Sequence, residues 1–569
     1  MRYWKRYVLG TIFLLFILIY KVNNPWNTYQ QVEAFRGAQL KDSIWNPLIA
    51  KSVNEKNITV DIDNKNLTSN ETSIFMDNNK NLMIPVNVLR DSFECSAHVY
   101  TNDQLVIEKS ANKLIFPLDQ NSVTVNDQSK ELSTGLKKVG ETYYVPAQTV
   151  AEAFGYAYHW DMDKNTATAD VSDSSVQSAL PSSYDLRAEG RVSKIKDQGL
   201  HGTCWAFASL SALESELLPE ESLEFSPDHM SLNNSFALNQ DYGGDYTMSM
   251  AYLTAWQGPV LEKDDPYGDN KSNSDLKPVK HVQDIQIIKS KDFEKIKKAV
   301  FQYGGVQTSL YCDLKSFKSQ SPYYNPKTYS YSYLGQEKPN HDIVIIGWDD
   351  NYPKENFPMD LEGNGAFICQ NSWGNEFGNQ GIFYVSYYDA NIGIHNVVYT
   401  GIENADNYDN IYQSDLCGWV GQIGYGKDYI YGANVFKASG NQKVAAAGFY
   451  TLGENTSYEV YVTKDFSDSD SLKQRQLVAK GQLDNAGYYT IPFTQPVSIA
   501  SGERFSVIVK LTTPDTDHPL AIEYAADKTT ANADLSDGEG YISVTGTAWE
   551  NVKSEKDCNI CIKAYTKNE

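Results

Sequence analysis

Eight residues, Gln198-Gly-Leu-His-Gly-Thr-Cys-Trp205, put a cysteine at the entry to a helix-forming run, with a glutamine six positions ahead of it. From Phe207 the apolar residues return at Leu210, Leu213 and Leu217, the spacing of a helix with one core-facing stripe, and Pro219 stops the run. Thr203 is placed to cap that helix, so Cys204 falls in its first turn, at the positive end of the helix dipole. The position matters because thiolate is the reactive form and a free thiol, with a pKa of about 8.5, is mostly protonated near neutrality. A helix N-terminus beside an imidazolium can bring that value down to about 3–4. An isolated cysteine is by default a small buried hydrophobe, and only its surroundings argue otherwise.

Those surroundings lie downstream. Asn340-His341 opens the apolar run Ile343-Val-Ile-Ile346, suited to a buried strand that would hold the ring rigidly. His341 would take the Cys204 proton and later return one to a leaving amine. Gln370-Asn-Ser-Trp-Gly374 supplies Asn371 to orient the imidazole and Trp373 to shield their contact from water. Gln198 would offer its side-chain amide to a developing oxyanion, beside the Cys204 N–H.

Three stretches resemble the papain family of cysteine peptidases. Pro181-Ser-Ser-Tyr-Asp-Leu-Arg187 resembles the start of the mature enzyme, and Val192-Ser-Lys-Ile-Lys-Asp-Gln-Gly199 the approach to the oxyanion glutamine. His341 follows Cys204 by 137 residues and Asn371 follows it by 167, against a family spacing of roughly 130–150. The polar segment Asp349 to Gly365 is expected to loop out and lengthen the second interval. The likeness runs from about Pro181 to Asp389 and implies a thiol nucleophile of the kind papain itself exemplifies. It also implies that Gly243 and Gly244 match the strand that pairs with substrate backbone. Papain relatives carry a second cysteine three residues before the nucleophile, paired with one just ahead of a Gly-Gly; here the first position holds His201 and the second stretch reads Asp241-Tyr-Gly-Gly244, so both halves of that disulfide are missing.

The flanks have their own patterns. Arg2, Lys5 and Arg6 precede an apolar stretch from Tyr7 to Tyr20, as in a signal peptide or uncut signal anchor, so export and possible membrane anchoring are expected. Ile84-Pro-Val86 through Phe93 recurs 61 residues on as Val145-Pro-Ala147 through Phe154, each copy reading strand, short helix, strand. This repeat resembles the N-terminal domain of copper amine oxidases, a module that implies no copper site here, and His98 and His159, at equivalent places in it, are read as structural. From about Asn407 to Thr566 short alternating strands, among them Tyr458/Val460/Val462 and Phe505/Val507/Val509/Leu511 with Ser506 and Lys510 on the opposite, polar face, are punctuated by Gly, Asn, Asp and Ser. That arrangement looks like the lectin-like domain appended to certain bacterial papain-like peptidases.

Charge and cysteine usage narrow the class. Lys plus Arg number 49 against 72 Asp plus Glu, a net charge of −23, which argues against nucleic-acid binding. Lys289, Lys291, Lys295, Lys297 and Lys298 are read as the wet face of a helix whose dry face is Phe293, Ile296 and Val300. Seven cysteines suggest neither a disulfide framework nor a zinc site, and Cys558-x-x-Cys561 has no second pair. The sequence therefore predicts a multidomain α+β chain. Residues 1–29 would be a signal peptide or anchor and 30–56 a linker. An α+β repeat domain would follow at 57–170, then a linker at 171–180. A two-lobed papain-like domain would occupy 181–400, with a helical lobe and a β-barrel-like lobe, and an antiparallel β-sandwich or jelly roll would occupy 405–566. The expected activity is an exported cysteine endopeptidase without cofactor or metal, its substrate a peptide or protein. The C-terminal domain could hold carbohydrate. The alternatives are a surface adhesin with a vestigial peptidase domain, or an acyltransferase using the same thioester.

Overall fold

The computed structural model describes residues 58–569 apart from 63–64, 69–72, 111, 162–163, 165, 172–179, 315, 317 and 319. The expected signal segment and most of the linker before Pro181 therefore lie outside the described residues. The chain divides into two compact units: among the described residues, 58–89, 119–122 and 130–171 form one, and 90–118, 123–129 and 180–569 form the other.

In the repeat, the proline-ended strand is followed by a helix because proline cannot donate to the next ladder position but suits a helix start. The first copy runs Leu82–Pro85, Val86–Phe93, Ser96–Tyr100 and the second Thr142–Pro146, Ala147–Ala153, Tyr156–Asp161. The two proline-ended strands pair antiparallel, with Ile84 opposite Val145. The order strand, helix, strand is that expected from the sequence.

In the second unit one sheet runs from the catalytic region into the C-terminal region. Its central order is Ile382–Ser386, Ala366–Gln370, His341–Asp349, Val306–Leu310, Asn396–Asn404, Lys280–Ile287, Ala486–Ile499, Gln442–Thr451, Ile562–Asn568. The helices Cys204–Leu217, Pro227–Leu232 and Tyr246–Thr254 supply the helical lobe. Core packing follows the sheet across the junction: the cluster around Leu210, Leu213, Ile343 and Val344 also takes in Cys417, Tyr450, Tyr488 and Cys561. The C-terminal region is a sandwich. A six-stranded sheet ordered Gln476–Leu483, Thr456–Thr463, Arg504–Thr512, Tyr429–Lys437, Gly540–Ser543, Glu550–Asn551 packs Val460, Val462, Val507 and Val509 against Val444, Phe449, Ile491 and Ile562 of the other layer.

Two readings of exposure need correction. Lys297 is not on a wet face: it is buried, 2.7 Å from Asp350 and over the Tyr387 ring, because a long aliphatic stem can cover apolar surface while its ammonium finds a carboxylate. Ser506 is fully buried on the central strand Arg504–Thr512, whose second face is covered by a smaller cluster of Phe466, Leu472 and Ile508. Period-2 alternation detects a half-exposed strand and misses one covered on both sides.

The junction between the catalytic sheet and the sandwich rests on a few backbone pairs. Ile285, Gln286 and Ile287 face Tyr488, Gly487 and Ala486. Gly487 has φ +149°, and a Cβ there would lie 2.0 Å from the Ile285 carbonyl oxygen. Thr490 N–H donates to Asp284 Oδ1 at 3.0 Å and Asn485 Nδ2 to Gln286 Oε1 at 2.9 Å. Gly487→Ala should therefore cost roughly 2–4 kcal/mol from overpacking and backbone strain. Urea unfolding should show this as one cooperative transition moved to lower denaturant. An unshifted midpoint would mean that this contact carries no stability.

Candidate active site

The helix Cys204–Leu217 starts at the cysteine, as its spacing predicts. It is not an amphipathic helix with one dry stripe, since every residue from Trp205 to Ser215 is buried. Sheet strands and helices surround it, so its serines and Glu214 need internal partners. Glu214 finds them in Lys196 at 2.5 Å and the Phe225 N–H at 2.7 Å. Thr203 occupies the cap position but makes no side-chain cap bond; its hydroxyl lies 2.7 Å from the Tyr267 hydroxyl instead.

His341 opens the buried strand His341–Asp349, and Asn371 follows directly on Ala366–Gln370. These strands pair antiparallel with Val344 opposite Gln370. Continuing that register sets Trp373 across from His341 and Asn371 on its diagonal, all on one face of the sheet. The side chains agree. His341 Nε2 lies 2.8 Å from Asn371 Oδ1, and the Trp373 ring stacks on the imidazole at 4.8 Å and 29°. The Ser372 N–H also donates to Asn371 Oδ1 at 2.8 Å. Two partners thus meet the same oxygen, and because a carbonyl oxygen only accepts, Nε2 must carry the proton. Nδ1 is then the ring nitrogen that keeps its lone pair.

Gln198 is fixed at both ends of its amide. Ser372 Oγ donates to Oε1 at 2.6 Å, Nε2 donates to the His201 carbonyl at 2.8 Å, and the Gln198 N–H reaches Ser372 O at 2.8 Å. One Nε2 hydrogen remains for another acceptor. Gly243 and Gly244 lie not in a strand but in the loop between the turn Gln240–Tyr242 and the helix Tyr246–Thr254. Gly243 has φ +82°, and a Cβ at Gly244 would strike the Trp205 ring at 2.6 Å, so the loop reaches the helix Cys204–Leu217 closely only because both residues are glycines. His201, a conceivable second base, has its ring engaged by Asp241 at 2.8 Å.

Sequence reasoning overlooked three groups. Ser372 anchors both Asn371 and Gln198. Tyr267 donates to the Gln198 carbonyl at 2.8 Å while facing Thr203, and the Pro266-Tyr267-Gly268 turn was its only signal. Asp342, next to His341, is buried and held by Ser309 at 2.7 Å and Gln307 at 3.0 Å. It was hidden by the apolar run that follows it.

Burial works against the lone charges. Cys204 is half-buried, and desolvation first and the Asp342 carboxylate second push its thiol up to about 12, against the backbone amides of Asp342, Trp205 and Cys204. Burial lowers His341 to about 4, with the Asn371 bond opposing. The helix terminus does not by itself give a free thiolate at about 3–4. Between about 4 and about 12 the sulfur instead keeps its proton while the imidazole stays neutral.

His341 also links folding to pH. Its folded value lies below the ordinary 6.5, so the unfolded chain binds more protons between 6.5 and about 4. The stability it contributes is present above 6.5 and is lost as pH falls toward about 4. Urea midpoints measured across that window should fall more steeply for the parent than for His341→Gln, by up to about 1.4 kcal/mol per pH unit. Equal slopes would contradict burial of a neutral imidazole.

Comparison with known proteins agrees with the geometry. Residues 180–402 match the papain family cysteine protease model, 411–566 the lectin like domain and 61–169 the copper amine oxidase N-terminal domain. Mus musculus cathepsin K is 27% identical over 208 residues, 36% of this chain and 58% of that protein; Gallus gallus cathepsin K is 29% identical over the same shares. The chain thus spans little more than half the length of these relatives. The solved structure of the cysteine protease and lectin-like domains of Cwp84, a surface layer associated protein of Clostridium difficile, is 28% identical with a TM-score of 0.60, covering 69% of this chain and 90% of that one. Clostridial Cwp84 after propeptide cleavage gives 28% and 0.61, covering 68% of this chain and all of the other. The region that carries Cys204, His341 and Asn371 is a papain-like cysteine protease domain, with a lectin-like domain after it and a copper amine oxidase N-terminal domain before it.

Proposed function

We propose that the protein is an exported cysteine endopeptidase whose nucleophile is Cys204. The observation that carries this reading is the doubly pinned Asn371 oxygen, which leaves His341 Nδ1 as the free base. His341 Nδ1 takes the Cys204 proton as sulfur attacks a peptide carbonyl, so thiolate and imidazolium form together as the substrate is engaged. The carbonyl oxygen gains charge and is met by the Cys204 N–H and the free Nε2 hydrogen of Gln198. The intermediate collapses as His341 returns the proton to the leaving amine, forming a thioester. Water, activated by His341, then releases the acid and restores the thiol. Trp373, stacked on His341, keeps solvent from the His–Asn bond, and the Gly243-Gly244 loop offers open backbone for an extended substrate.

The basic and apolar start of the chain supports export, as does the likeness to a surface layer associated protease. The C-terminal sandwich is read as a carbohydrate-binding module that brings the protease to a glycan-bearing surface, on the strength of its lectin-like match. Among the described residues no helix is long and apolar enough to cross a membrane. Residues 57–170, 181–400 and 405–566 are the working domain boundaries.

Cleavage of denatured casein tests the assignment. Cys204→Ala should abolish turnover, and Asn371→Ala should lower kcat roughly 10²- to 10⁴-fold with KM within a few-fold, because it removes the tautomer and not the binding surface. Parental kcat/KM should fall as pH drops through about 4, where His341 takes up its own proton. Casein cleavage by Cys204→Ala would remove the nucleophile, and faster amide formation than acid release with an added amine would make the protein a transferase.

A further inference from the structure

The segment Gln198 to Thr203 carries the oxyanion donor and leads into the nucleophile, yet it contains no cysteine and Cys204 forms no disulfide. The two positions left without the family's disulfide meet all the same. His201 Nδ1 lies 2.8 Å from Asp241 Oδ1, and the neighbouring Gly202 N–H donates to the Gln240 carbonyl at 2.8 Å. A Cβ at Gly202 would lie 2.7 Å from the Gly243 nitrogen, so the two backbones run in direct contact. The His201 carbonyl is also what Gln198 Nε2 binds. A chain of contacts therefore runs from the Asp241 carboxylate through the His201 ring and backbone to the Gln198 amide. Tyr267 holds the same loop from another side, through the Gln198 carbonyl.

We propose that His201 and Asp241 are positioning residues: a charge-assisted clasp that replaces a disulfide and aims the Gln198 amide at the oxygen of the tetrahedral intermediate. The inference rests on the reading of Gln198 as oxyanion donor given above. The replacement has a chemical reason. A disulfide three residues from a thiol nucleophile is open to thiol exchange and to the reductant that keeps the nucleophile active. A His–Asp clasp is indifferent to both. Its cost is strength: the side chains are 33% and 74% exposed, so the pair is a partly screened surface contact. Such contacts are worth up to about 1 kcal/mol, which corresponds to about fivefold, and weaken with salt.

The test uses the full chain and three readouts: kcat and KM on a peptide substrate, affinity for a peptide aldehyde whose adduct carries an oxyanion, and the rate of Cys204 alkylation by iodoacetamide, which develops none. Asp241→Ala should lower kcat and aldehyde affinity together by about three- to fivefold at low salt, with KM and alkylation unchanged. The parent should move toward that variant in 1 M salt, where the Debye length falls to about 3 Å, comparable with the 2.8 Å contact. His201→Cys with Asp241→Cys, once oxidised and shown by mass to have lost two hydrogens, should regain parental kcat and lose the salt dependence. Reduction should return it to the Asp241→Ala level. Unchanged kcat and aldehyde affinity in Asp241→Ala, or a cross-linked double variant that does not recover, would overturn the clasp. If Gln198→Ala leaves aldehyde affinity unchanged, the oxyanion reading itself is overturned; if Gln198→Ala weakens it and Asp241→Ala does not, only the clasp falls.

Discussion

The bond from His341 Nε2 to Asn371 Oδ1 is the contact on which the rest of the site depends. It is a product of strand register. One residue of slip between His341–Asp349 and Ala366–Gln370 would send Asn371 and Trp373 to the opposite face of the sheet. The register is held from both sides, by Val306–Leu310 on one flank, with Leu310 opposite His341, and by Ile382–Ser386 on the other. The apolar run Ile343 to Ile346 thus does two jobs: it anchors the strand in the core and places a polar residue at its mouth. Ser372 then extends the arrangement, since its N–H fixes the Asn371 oxygen and its hydroxyl fixes the Gln198 amide.

Electrostatics at the site are set by competition between helix and burial. Backbone amides at the head of Cys204–Leu217 favour a thiolate, whereas desolvation and the Asp342 carboxylate oppose it, and burial wins for either charge alone. At rest the sulfur therefore keeps its proton and the imidazole is neutral. Asp342 is itself buried and pushed up to about 6, with the Ser309 and Gln307 bonds opposing that rise and Asp245 adding to it. Its state therefore feeds back on the sulfur.

Much of this was legible in the sequence because local rules and long-range packing agreed. The cysteine at a helix start, the histidine ahead of Ile343-Val-Ile-Ile346 and the proline-ended strands Leu82–Pro85 and Thr142–Pro146 are each announced by their neighbours. Failures came where an element is covered on more than one side. The helix Cys204–Leu217 has no wet face from Trp205 to Ser215, Lys297 is buried with a carboxylate, and Ser506 sits under a second cluster. Periodicity reports one boundary with water and falls silent when there is none. The sheet that joins the catalytic and sandwich regions was also out of reach, because Ile285 meets Tyr488 across about two hundred residues with nothing in either stretch to name its partner. Contacts such as Tyr267 with the Gln198 carbonyl belong to the same class.

The reactivity of one sulfur among seven tests this account most directly. Cys95, Cys312, Cys369, Cys417, Cys558 and Cys561 are buried, and burial raises each of their thiols; burial raises the Cys204 thiol as well, but Cys204 is partly open to reagent, and His341 is the base proposed for it. Treatment of the folded chain with an epoxysuccinyl peptide at mildly acidic pH, followed by peptide mapping, should find a single adduct, on Cys204, and none after His341→Gln. A folded protein that takes no label, or takes it on another cysteine, would contradict the account.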